Sequence, residues 1–172
     1  MIVKLAFIFL AGVTASCSSA FVHSTTLEMD SKLDPDKGVL VDIPENGWFE
    51  TIEYKESGRM TASAFQDAFA RHCSKVSVAK LDSDGDDVSS VNATDFGYLI
   101  VPQILHWEDR NTEWSGKLDR IEIQLSVFDT ATKEEIANSS FIGKSKWATF
   151  GGDHPQDLLL PGLVELIDSF YR

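Results

Sequence analysis

Ile121, Ile123, Leu125 and Val127 alternate without a break with Arg120, Glu122, Gln124 and Ser126. A period of two puts the aliphatic set on one side of an extended chain and the polar set on the other. Such a strand needs an apolar cover on one face and leaves the other to water. The rest of the chain must therefore supply neighbouring strands and something to lie on them. Asp129-Thr130-Ala131-Thr132-Lys133 follows as tight-turn chemistry, and a partner strand is predicted from about Glu135 to Trp147. Upstream, Tyr98 to Trp107 reads YLIVPQILHW, apolar on both faces. Pro102 within it favours an edge or a bulge, because proline brings no N–H to a ladder. These segments predict a three-strand meander.

The cover comes from two helical patterns. Ala62, Phe65, Phe69 and Cys73 recur at helical spacing between about Met60 and His72, with Ala68 beside them. Ser57 or Thr61 is placed to cap that helix. Near the end of the chain, Leu163, Val164, Leu166, Ile167 and Phe170 repeat the spacing, and Pro161 suits a first turn. Val39, Val41 and Ile43 mark a short strand that Pro44 ends, and Val76 and Val78 mark another. Trp48 to Tyr54 reads as a loop or an edge strand. With 43% apolar residues in 172, a core can form without disulfide staples. The expected fold is α+β: a two-layer sandwich with a mainly antiparallel mixed sheet and two helices packed on one face.

The first sixteen residues, MIVKLAFIFLAGVTAS, follow different rules. Lys4 is followed by an apolar stretch from Leu5 to Val13 and then by small residues. This is the order of a secretory signal. A stretch that short cannot cross about 30 Å of hydrocarbon as a helix. Thr14-Ala15-Ser16-Cys17 resembles the bacterial lipobox, departing from it with Thr14 in place of Leu and Ser16 in place of Gly or Ala. The Cys17 thiol would carry a diacylglyceryl group, and cleavage between Ser16 and Cys17 would free an amine for a further, palmitate-like acyl chain. One chain holds a membrane only weakly, at about 10⁴ M⁻¹, so durable anchoring takes more than one. Residues 1–16 are read as the signal peptide, 17–37 as a lipid-anchored flexible tether, and 38–172 as one domain. Ser18 stands where an Asp would retain the protein in the inner membrane, which points to the outer membrane with the domain facing the periplasm. From Cys17 onward 14 basic residues face 27 acidic ones, a net charge of −13. That balance excludes nucleic acid as a partner.

Chemistry-bearing motifs are sparse. With Cys17 acylated, Cys73 has no disulfide partner in the chain. Asp82 to Asp87, DSDGDD, has its Gly85 and Ala93 out of place for an EF-hand loop and reads as a solvated acidic loop. No metal site and no cofactor motif is expected. Two clusters stand out. His106-Trp107-Glu108-Asp109-Arg110 continues through Glu113-Trp114-Ser115-Gly116, and Trp147 to Pro155 reads WATFGGDHP. Trp107, Arg110, Trp114 and Trp147 are candidate anchors of a binding surface, since Trp and Arg dominate interface energetics. The paired carboxylates Glu108 and Asp109 beside Trp also suggest glycan hydrolysis, and Asp153 with His154 could serve a metal or a hydrolytic site. Adjacent strand residues point to opposite faces, which counts against the first pair.

LIVPQILHWEDRNTEWSG and, after the hairpin, GKSKWATFGGDHPQDLL resemble the bacterial lipoprotein family known as domain of unknown function 4823. The similarity runs from about Gly38 to the C-terminus. It implies a small envelope lipoprotein and supplies no catalytic residues. The expected function is that of a non-enzymatic lipoprotein binding another envelope component, a protein partner, with a peptidoglycan- or glycan-acting hydrolase as the alternative.

Overall fold

The computed structural model describes residues 19–81, 93–110, 118–145 and 154–172. Along the described chain run β1 (Ala20–Leu27), β2 (Val39–Asp42), β3 (Trp48–Phe49), β4 (Ile52–Glu53), α1 (Ser57–Phe69), β5 (Val76–Ala79), β6 (Tyr98–Glu108), β7 (Arg120–Asp129), β8 (Glu135–Lys144) and α2 (Leu159–Tyr171). Six strands form one mixed sheet in the order β1-β8-β7-β6-β2-β5, and β3 and β4 form a separate small hairpin. β2 is parallel to both β5 and β6, and the remaining pairs of the large sheet are antiparallel. The fold is the expected α+β sandwich.

β7 sits inside the sheet, and Ile121, Ile123, Leu125 and Val127 are all fully buried. They share one core with Phe65 and Phe69 of α1 and with Leu163, Ile167 and Phe170 of α2. Both helices therefore cover the same face. β2 is covered on both sides: Val39 and Val41 enter the main core, while Leu40 joins Ala79, Leu81 and Phe96 behind the sheet. That accounts for its unbroken apolar run.

The β7–β8 connection is tight because Asp129 Oδ1 accepts the N–H groups of Ala131 and Thr132 at 2.9 and 3.1 Å. Lys133 completes it at φ 61°. At Gly162, α2 comes so close to β8 that an added Cβ would lie 2.5 Å from Cε2 of Phe141. Glycine is needed there for the approach of helix to ring.

Two expectations need correction. Residues 18–37 are not simply a tether leading to a domain that starts at Gly38. β1 pairs antiparallel with β8 from Ala20 opposite Lys144 to Leu27 opposite Asn138. His23 Nε2 is 2.9 Å from the Gly162 carbonyl oxygen, and the Leu33 N–H donates to the Phe170 carbonyl. Leu33 itself is buried in the core. β8 offers an open edge of backbone groups, and pairing with it orders a segment whose own sequence is polar.

The cap of α1 also differs. Its N-cap is Glu56, at φ 68° and without a side-chain cap bond. Ser57 Oγ instead accepts the Gly47 N–H at 2.7 Å, and Asn46 Oδ1 accepts the Gly58 N–H at 3.2 Å. The preceding turn thus satisfies one of the helix's orphan first-turn donors. Thr61 caps nothing: its hydroxyl is fully buried and has no hydrogen-bond partner among the described residues. An unmet buried polar atom costs about 1–3 kcal/mol, and valine keeps the shape without it. Thr61→Val should therefore raise stability by about 1 kcal/mol in a denaturant titration. A loss of stability would contradict this reading.

Candidate functional site

The conspicuous cluster at the end of β6 is organised by two local features. β2 pairs with β6 only as far as Ile100, so β6 has a free edge beyond that point, where Pro102 is tolerated. The β3–β4 hairpin lies against this stretch. A Cβ on Gly47 would come 2.6 Å from Cβ of Trp107 and 2.8 Å from Cγ2 of Ile104. The second feature is a bulge between Ile104 and His106. One extra residue reverses the alternation of faces.

Before the bulge, Tyr98, Ile100 and Ile104 face the helices, and after it Trp107 does. Trp107 is 2% exposed, which corrects its assignment as a surface anchor. His106 and Glu108 turn to the other face, opposite Glu122 and Arg120 of β7. There Glu108 is buried and held from two sides. His106 Nε2 lies 3.2 Å from Glu108 Oε2, and the Arg110 guanidinium pairs with Glu108 Oε1. Arg120 pairs with Glu122 at 2.9 Å. The Arg110 N–H donates to Asp119 Oδ1 at 2.6 Å, and the Asp119 N–H donates to Ser145 Oγ at 2.9 Å.

The aromatic hairpin closes over the same group. Phe49 meets His106 edge-on with centroids 5.2 Å apart, and the Arg110 guanidinium carbon is 5.6 Å from the Phe49 centroid. The Asp109 N–H donates to the Tyr54 hydroxyl at 3.3 Å. Chemically, this is a closed ion-pair network. A general acid or base must reach the reacting atom of a substrate, whereas the Glu108 carboxylate is buried between His106 and Arg110.

His154 is exposed before a short 3-10 helix, Pro155–Leu158, and its N–H donates to Asp157 Oδ2 at 2.9 Å. Ser16, Cys17, Trp114, Trp147 and Asp153 lie outside the described residues, as does the Asp82–Asp87 run. Among the described residues no three His, Cys, Asp or Glu side chains group as a metal ion would require.

Sequence reasoning missed the exposed apolar side chains of this region. Trp48 is 56% exposed, Ile52 55% and Leu105 45%. Trp48 and Ile52 belong to the hairpin, and Leu105 is the extra residue of the bulge beneath it. A large indole two residues after Asn46, in a hairpin too short to bury it, was the available signal.

Residues 31–170 match the family model described as a domain of unknown function (DUF4823). No curated protein matches the chain. Among solved structures, the chain is similar to the PelC dodecamer from Paraburkholderia phytofirmans. The TM-score is 0.62 at 11% identity, over 90% of this chain and 99% of that one. A substituted variant of that protein in another crystal form gives 0.59 and 12% with the same coverage. A looser likeness is to lipoprotein GNA1162 from Neisseria meningitidis, with TM-score 0.43 and 12% identity over 77% of this chain and 98% of that one. At these identities the PelC match establishes a shared fold.

Proposed function

The chain belongs to the DUF4823 family, a domain of unknown function, and on that footing we propose a lipid-anchored bacterial envelope protein that works by binding. Signal cleavage between Ser16 and Cys17 leaves Cys17 as the acylated N-terminus. Ser18 directs the protein to the outer membrane, and the domain faces the periplasm. The partner is another protein of the envelope.

The observation that carries the binding reading is the contrast at the end of β6. The groups suited to acid–base chemistry are closed on one another, while Trp48, Ile52 and Leu105 stand exposed beside them. Aromatic and aliphatic side chains held out by a short hairpin, with Arg110 at their rim, have the composition of an interface core. The surface proposed here replaces Trp107 with Trp48 and keeps Arg110.

A photoreactive side chain placed at Trp48 or Leu105 in living cells should give a discrete adduct. The same probe at Glu134, exposed in the β7–β8 turn, should give none. Equal or absent capture at all three positions would contradict the assignment. An adduct of twice the chain's mass would make the partner a second copy, as in the dodecamer of the similar PelC chain.

A further inference from the structure

We infer that the end of the sheet carrying Ala20 and Lys144 rests on the lipid headgroups of the bilayer, held there by a tether of two residues. The inference rests on Cys17 as the lipid anchor. Ser18 and Ser19 alone separate Cys17 from β1, which starts at Ala20. A fully extended chain covers at most about 3.6 Å per residue, so Ala20 stays within roughly 11 Å of the acylated cysteine.

The register then places a whole row of the sheet at that depth. Ala20 pairs with Lys144, Lys144 with Arg120, and Arg120 with Glu108. The ten residues of β8 put the opposite end, with Lys133 in its turn, roughly 30 Å away.

Charge supports the same posture. Lys144 is exposed at this end, where an ammonium can meet lipid phosphate. The mature chain as a whole carries −13, from 14 basic and 27 acidic residues. An anionic surface repels that body and favours contact through a small end over lying flat. The flexible-tether picture would let the domain tumble above the membrane. β1 removes that freedom, because it is locked to β8 almost from the anchor onward.

The test uses the full lipidated protein, reconstituted in phosphatidylethanolamine–phosphatidylglycerol vesicles containing a lipid with a nitroxide headgroup. A fluorophore is attached at Lys144→Cys or at Lys133→Cys. Labelling is specific because Cys73 is buried and Cys17 is acylated in the protein used. Quenching at position 144 should exceed that at 133 several-fold. Inserting about twelve Gly and Ser residues between Ser18 and Ser19, a coil of roughly 20 Å, should erase the contrast. Equal quenching with the native tether, stronger quenching at 133, or a contrast that survives the insertion would overturn the proposal. The intact mass of each sample separates the two claims. An unacylated chain overturns the anchor and the posture together, whereas an acylated chain with equal quenching overturns the posture alone.

Discussion

Phe141→Ala should destabilise the fold by about 3–5 kcal/mol in equilibrium denaturation, the usual range for emptying a buried phenylalanine site. Phe141 lies where three elements meet. Its strand position pairs with Ile123 of β7 and His23 of β1, and its ring lies directly beneath Gly162 of α2. Phe141 is completely buried. The surroundings cannot collapse into the space without moving α2, whose seat is defined by that ring. Small domains have only about 5–15 kcal/mol of net stability, so the variant should also be more easily digested by proteases. A loss below about 1 kcal/mol would mean that helix and sheet are not packed as described.

Glu108→Ala should cost about 2–3 kcal/mol, toward the low side for breaking a buried ion pair because Arg110 is 28% exposed and can partly rehydrate. Removing this carboxylate leaves His106 and Arg110 without the anion between them. The sign is diagnostic. Catalytic carboxylates are commonly held at the expense of stability, so replacing one tends to stabilise the fold. A gain in stability for Glu108→Ala would therefore reopen the hydrolytic reading. A loss with Glu108→Gln intermediate between alanine and wild type fits a structural ion pair.

The parts of the fold that could be read from sequence are those whose pattern is local. Ile121 to Val127 states which face is buried by itself, and the Asp129–Lys133 turn carries its own hydrogen bonds. α2 was legible from the spacing of Leu163, Ile167 and Phe170. β1 was not. AFVHSTTL is largely exposed and mixes apolar with polar residues without a clean alternation, and what makes it a strand is the open edge of β8 more than one hundred residues later. β-branched Val22, Thr25 and Thr26 were compatible with a strand but could not identify a partner.

Trp107 illustrates a different failure. Continuing the alternation from Ile100 through Ile104 puts position 107 on the wet face. The bulge at Leu105 inverts the phase, so Trp107 is buried and His106 and Glu108 come out on the opposite side. Pro102 favours an edge or a bulge in this strand but does not place one at Leu105. The same shift takes Trp107 out of the exposed surface, while Trp48 of the β3–β4 hairpin stays in it. The exposure of Trp48 is hard to read from sequence because the segment around it shows no clear period.

The central claim is that a lipid-anchored N-terminus joins directly to this sandwich. Its most direct test is the intact mass of the mature protein extracted from its native membranes. The expected product is a chain beginning at Cys17 and heavier than its sequence by a diacylglyceryl group, with or without a further acyl chain on the amine. A chain of unmodified mass, beginning at Ser16 or at any other residue, would contradict it.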